Sequence, residues 1–176
     1  MAVLSKGNFT VNLGIVKLSG TLSDEDRQCA WELYTELSTR VTMVGKPSDE
    51  DCKSFEGELY IESLASFYNF FQEARGIMRK FPVGRLEPNQ QDHLGVIISR
   101  VMSDVMRPFL EKWQVDYRYW WEYQSNPRLS PLERQNEYPK LTEFLEDWSS
   151  VRWLLRKLQD ELLGKYQLVN VFPNDS

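Results

Sequence analysis

Between residues 94 and 121 the chain carries two adjacent rows of apolar side chains, each spaced four apart. Ile97, Val101, Val105, Phe109, Trp113, Tyr117 and Trp121 form one row, and Leu94, Ile98, Met102, Met106 and Leu110 form the other. Residues four apart share a face of an α-helix, so the rows merge into one broad apolar stripe opposite Ser99, Arg100, Ser103, Asp104, Glu111 and Lys112. Only other helices can cover such a stripe. Pro108 lies inside it, lacks an N–H and crowds the carbonyl of Asp104, so a kink or break near Arg107 is expected, re-aiming the aromatic end.

Three further segments have the helical period. Ser23 is positioned to cap the first, with Asp24, Glu25 and Asp26 at the positive end of the dipole and Ala30, Leu33, Tyr34, Leu37 and Val41 on its apolar face. Gly45-Lys46-Pro47 interrupts the chain, and Ser48 with Asp49, Glu50 and Asp51 is expected to open a capped segment leading into a second helix over 59–78. Ser130-Pro131 marks a short turn of helix, and Pro139 precedes a last helix with Leu141, Phe144, Trp148, Val151, Leu155, Leu158 and Leu162 in register.

Residues 1–20 read differently. Phe9, Val11, Leu13 and Ile15 alternate with polar or small residues, the period of a half-buried strand, and Val3-Leu4 before Ser5-Lys6-Gly7-Asn8 supplies a hairpin partner and turn. The expected fold is all-α: an up-and-down bundle of four main helices over 1–176, with the N-terminal hairpin or strand packed on it and 167–176 as a loosely ordered tail. A chain of 176 residues is about one domain's worth.

Charge and residue usage narrow the function. A net charge of −5 argues against a general nucleic-acid binder, which needs a basic face. No run approaches the roughly 20 apolar residues that span a bilayer, and the N-terminus lacks the apolar core of a signal peptide, so a cytoplasmic protein without membrane contact is expected. Cys29 and Cys52 fit no metal or redox spacing and read as small buried thiols. His93 is the only histidine, which argues against hydrolytic triads, the usual zinc sites and di-iron bundles. With no phosphate-cradling glycine loop either, the expectation is no catalytic residue, no metal and no cofactor.

The densest unexplained feature is the run Tyr117, Arg118, Tyr119, Trp120, Trp121, Glu122 and Tyr123. At about 100° per residue, Tyr117 and Trp121 continue the core stripe, Tyr119 and Tyr123 point well away from it, and Trp120 lies between. Either residues 125–140 or the hairpin cover the second group, or Tyr117, Arg118, Tyr119, Trp120, Trp121 and Tyr123 form a surface for a protein partner or for self-association into a homo-oligomer. A second candidate is a pocket between helices lined by Trp31, Tyr34, Tyr68, Arg75 and Arg107, where arginine forks would bind a small anion or a nucleotide.

The order of FTVNLGIVKLSG, AWELYTELSTRV, LYIESLASFYNFFQEARGIMRKF, VMRPFLEKW and the Ser-Pro turn resembles an uncharacterised family of bacterial proteins over nearly the whole chain. The resemblance implies a single bacterial domain and carries over no functional residues. Surplus aromatic surface together with the absence of a catalytic constellation makes a non-enzymatic interaction module or small subunit of a bacterial multi-protein system the leading expectation.

Overall fold

The structure is a computed structural model that describes residues 3–12, 24–40, 43–80 and 94–170. Strands β1 (Val3–Lys6) and β2 (Phe9–Asn12) pair antiparallel, with Leu4 opposite Val11 and Lys6 opposite Phe9. The turn is tighter than its polar run implies, because Lys6 belongs to the strand and only Gly7 and Asn8 connect. Gly7 has φ +56°, and its Cα faces Ser150 so closely that a Cβ there would lie 2.5 Å from the hydroxyl oxygen. Asn8 donates to the Asp147 carboxylate at 3.0 Å and Lys6 pairs with Asp51 at 2.9 Å, so polar ties fix the hairpin while Phe9 and Val11 enter the core.

Helices α1 (Asp24–Thr39) and α2 (Tyr60–Lys80) are followed by a long helical passage made of α3 (Leu94–Arg100), a π-helical turn (Val101–Met106), α4 (Arg107–Tyr119) and a second π-helical turn (Trp120–Gln124). A single-turn helix α5 (Pro131–Gln135) and the last helix α6 (Leu141–Lys165) complete the chain. The expected bundle is present. Helix α1 packs on α2, α2 on α4, α4 on α6 and α6 on α1, which closes a ring of four around one apolar core. Phe67, Phe109, Phe144 and Trp148 meet at its centre, with Phe109 5.2 Å from Phe67, 5.7 Å from Trp148 and 6.3 Å from Phe144 between ring centroids.

Pro108 does not break the long helix. Met106 and Arg107 both keep right-handed helical dihedrals, and the Arg107 N–H donates to the carbonyl of Met102, five residues back. The wide turn accommodates a residue with no N–H without ending the helix, so of the expected kink or break the break does not occur, and a π-turn lies directly before the proline.

Ser48 does not open a helix either. Residues 43–59 form a loop of turns, because the Asp49 carboxylate accepts from the Ser54 N–H at 2.5 Å and Cys52 adopts φ +57°, which a right-handed helix cannot contain. Two arginines of α6 hold this loop. Arg156 donates to the carbonyls of Val44, Lys46 and Asp49, and the fully buried Arg152 lies 4.2 Å over the Phe55 ring while donating to the Ser54 carbonyl and the Glu58 carboxylate. Gln135 of α5 then closes the start of α2: its side chain accepts from the Tyr60 N–H at 3.0 Å and donates to the Glu58 carbonyl at 2.9 Å.

Helix α5 starts as its sequence indicates. Ser130 and Glu133 bond each other's backbone N–H in a capping box, with Pro131 in the first turn. At the other end of the chain Gly164 lies inside α6, Leu168 packs against the core, and Val169 is exposed. Ser23, His93, Leu13, Ile15, Val41, Val171 and Phe172 lie outside the described residues. Among the described residues no helix is long and apolar enough to cross a membrane.

Candidate functional site

The aromatic run at the end of the long helix divides into a covered half and an open half. Tyr117 and Trp120 are buried and Trp121 is half-buried. Their cover is the segment after the helix. Tyr138 packs edge-on against Tyr117 at 4.9 Å and lies 5.0 Å from Trp120, while Arg134 stacks 4.0 Å over the Trp121 ring and donates to the Trp121 carbonyl and the Ser125 hydroxyl. The Tyr138 hydroxyl donates to Asp116, and Lys140 pairs with the same carboxylate at 3.0 Å. That hydroxyl first, and the Lys140 ammonium with it, hold the Asp116 carboxyl below the usual carboxylate range. Burial pushes the phenols of Tyr117 and Tyr138 up, so both stay protonated and serve as packing groups.

Tyr119 and Tyr123 have no such cover. Their rings lie 5.2 Å apart on the outer face, 55% and 72% exposed, and Arg118 beside them pairs with Glu122 one turn on, at 3.0 Å. Following this face back along the helix in steps of four gives Val115, 73% exposed, then Glu111 and Arg107. Val115 is the residue that the sequence reading missed. Its signal was a lone β-branched side chain among charged neighbours, which spacing alone does not separate from ordinary surface scatter.

The same face borders an open groove between α2 and the long helix, with a volume of about 760 Å³. Phe71 and Met78 from α2 and Met102 and Leu110 from the long helix give it an apolar floor. Tyr68, 39% exposed, stands at one end, and Arg75 and Arg79 stand one helical turn apart along the α2 rim. Arg107 and Glu111 occupy the opposite rim and pair with each other at 2.7 Å. Arg75 and Arg79 have no carboxylate within ion-pairing distance among the described residues.

Three of the five residues expected in an inter-helix pocket, Tyr68, Arg75 and Arg107, thus line this groove together. Trp31 and Tyr34 do not. They sit on α1, across the ring from α4, with their rings 5.8 Å apart and the buried Tyr34 hydroxyl donating to Asn170 at 3.1 Å.

The remaining polar clusters belong to the scaffold. Asp147 is buried and accepts from Trp113 at 2.9 Å, Lys112 at 2.7 Å and Asn8 at 3.0 Å, which joins the hairpin, α4 and α6. Burial pushes the Cys29 thiol up to about 12, with Glu32 and Asp26 adding to the effect, and burial raises Cys52 as well; both are free buried thiols. Among the described residues no three His, Cys, Asp or Glu side chains gather where they could hold a metal ion. No protein-family model, no curated protein and no solved structure matches the chain.

Proposed function

We propose that the chain is a non-enzymatic protein–protein interaction module or small subunit of a bacterial multi-protein system, and that it holds its partner on the face formed by α2 and α4. The observation carrying this reading is the continuity of Val115, Tyr119 and Tyr123 with an apolar-floored groove. Isolated exposed apolar residues are ordinary on any protein, whereas a run of them rimmed by charge marks a contact surface. Tyrosine and arginine, which supply much of the energy of protein contacts, are the residues at its edges.

Affinity capture from the native host with the wild-type chain and with Val115→Glu/Tyr119→Ser/Tyr123→Ser tests this, alongside light scattering of each. A specific partner, or a second copy, is retained by the wild type and lost by the triple variant, while Leu132→Ser, which alters an exposed apolar residue on α5, changes neither result. A strict monomer that retains nothing would contradict the reading.

The second reading is a small anion held at Arg75 and Arg107. Its support is the unpaired state of Arg75 among the described residues; against it stands the openness of the groove, since small-molecule sites enclose most of their ligand. A thermal-shift screen with nucleotides and anionic metabolites decides, because a ligand at 100 times its dissociation constant adds about 2.7 kcal/mol.

A further inference from the structure

We infer that the occupant of the groove is an amphipathic α-helix of a different protein, one whose apolar stripe is flanked by acidic residues that lie against Arg75 and Arg79. The inference rests on the interaction reading above and adds the chemistry of the partner.

Length comes first. The groove is lined along the long helix from Ser99 to Val115, a rise of about 24 Å at 1.5 Å per residue, which is the length of a partner helix of four to five turns. Phe71, Met78, Met102 and Leu110 make its floor apolar, as a groove that receives a helix by its apolar stripe must be.

Charge gives the flank and the orientation. Arg75 and Arg79 are one turn apart on α2, so carboxylates one turn apart on a partner helix meet both. The opposite rim is self-compensated by the Arg107–Glu111 pair and asks for no net charge. One acidic flank and one neutral or mixed flank therefore complement the two rims. The chain as a whole carries −5, so an acidic partner is repelled by the general surface and drawn to this strip, which sets its docking direction.

A second copy of this chain does not meet these terms. A two-fold contact through the groove offers Arg75 and Arg79 residues of the same patch, and the one carboxylate of that lining, Glu111, is already paired with Arg107. The acidic residues at the starts of α1 and α6 belong to helices whose apolar faces are already buried in their own core, so a folded copy has no free acidic amphipathic helix among its described residues to offer.

The test uses the full chain and three labelled synthetic peptides of about 18 residues. One is a Leu-striped helix with a Glu flank, one has Lys in place of Glu, and one keeps the Glu composition but carries two central prolines. Binding is followed by fluorescence anisotropy. The Glu helix is expected to bind, the Lys helix and the proline peptide to bind about tenfold more weakly or not at all, and Arg75→Glu/Arg79→Glu to exchange the preference between Glu and Lys helices. Val115→Glu, at an exposed position that leaves folding intact, is expected to weaken the Glu helix, with a circular-dichroism melt confirming the fold.

Equal binding of the Glu and Lys helices, equal binding of the proline peptide, or no binding of the Glu helix would overturn this partner class. Displacement of the Glu helix by millimolar inorganic phosphate or pyrophosphate would overturn it in favour of an anion site. The interaction reading itself fails only if the host partner, or the second copy, is retained equally by the Val115→Glu/Tyr119→Ser/Tyr123→Ser variant, or if nothing is retained at all, so the two failures are distinguishable.

Discussion

Removing the Tyr138 ring separates the packed half of the aromatic run from the open half. The ring is buried against Tyr117, Trp120, Phe144 and Trp113, with centroids 4.9, 5.0, 6.0 and 6.5 Å away. Truncating a large buried ring to Ala typically costs about 3–5 kcal/mol through lost transfer energy and the cavity left behind. Tyr138→Ala should fall in that range, a large share of the roughly 5–15 kcal/mol that stabilises an ordinary domain. Tyr138→Phe keeps the ring and removes only the hydroxyl that donates to Asp116. The Asp116 side chain is 40% exposed, so solvent screening should hold that loss to about 1 kcal/mol or less. Because Asp116 is more acidic folded than unfolded, this contribution is present above the unfolded carboxyl pKa and disappears as pH falls through the lower folded value. The Phe variant should therefore trail the wild type at pH 7 and converge with it in acid. Tyr119→Ala and Tyr123→Ala alter exposed rings and should each stay within about 0.5 kcal/mol of wild type. Urea unfolding followed by far-ultraviolet circular dichroism and tryptophan fluorescence measures all four, with unchanged m-values as the two-state control. A Tyr138→Ala loss below about 1 kcal/mol, or a Tyr119→Ala loss as large as that of Tyr138→Ala, would refute the division between covered core and free surface.

Three further outcomes follow from the scaffold. Arg152→Met leaves the buried Glu58 carboxylate without its opposite charge, with the Ser63 hydroxyl still donating to it, and should cost about 3–5 kcal/mol; in urea titrations the Arg152→Met/Glu58→Gln pair should cost less than the sum of its parts. Cys29 and Cys52, held protonated by raised pKa values, should react at pH 8 with a chromogenic disulfide reagent only as fast as the chain unfolds, whereas immediate labelling would mean that a thiol is open to solvent. Gly7→Ala combines a left-handed φ with a clash on Ser150 and should lower stability by about 1–2 kcal/mol in thermal melts, with Ser150→Gly relieving only the clash portion.

Much of the architecture was legible because burial follows periodicity. The four apolar faces, the hairpin alternation of Phe9 and Val11, and the Ser130 capping box are all local signals that the fold obeys. The π-turns were legible too, though in a form read as an ordinary helical stripe. On a regular α-helix each step of four overshoots a full turn by about 40°, so the six steps from Ile97 to Trp121 would carry the row about 240° around the axis. Ile97, Val101, Val105, Phe109, Trp113 and Tyr117 nevertheless all stay buried, and the turn closed five residues back at Val101–Met106 under-winds the helix between them. Strict spacing by four was the sign of under-winding, and Pro108 sits where the first wide turn ends.

What spacing cannot convey is which helices become neighbours. Trp31, Tyr34, Tyr68, Arg75 and Arg107 share suitable chemistry, but α1 and α4 lie across the ring from each other, so only the last three meet. The Ser48 segment has good helix-starting residues, and the long-range donors of Arg152 and Arg156, about a hundred residues away, drew its carbonyls into a loop instead. Helical geometry points Tyr119 and Tyr123 away from the core stripe but leaves open whether they are covered; both are exposed, while the cover over Trp120 and Trp121 depends on Tyr138 and Arg134, whose reach no local pattern encodes.

The central claim, that the α2–α4 face is the docking surface, is met most directly by site-specific photocrosslinking in the native host. A photoreactive phenylalanine analogue is placed in turn at Val115, Tyr119, Leu132 and Val169, four exposed apolar positions of which only the first two lie on that face. One discrete adduct of the same mass is expected from Val115 and Tyr119, and none from Leu132 or Val169. Adducts of equal yield from all four positions, or from Leu132 and Val169 alone, would contradict it.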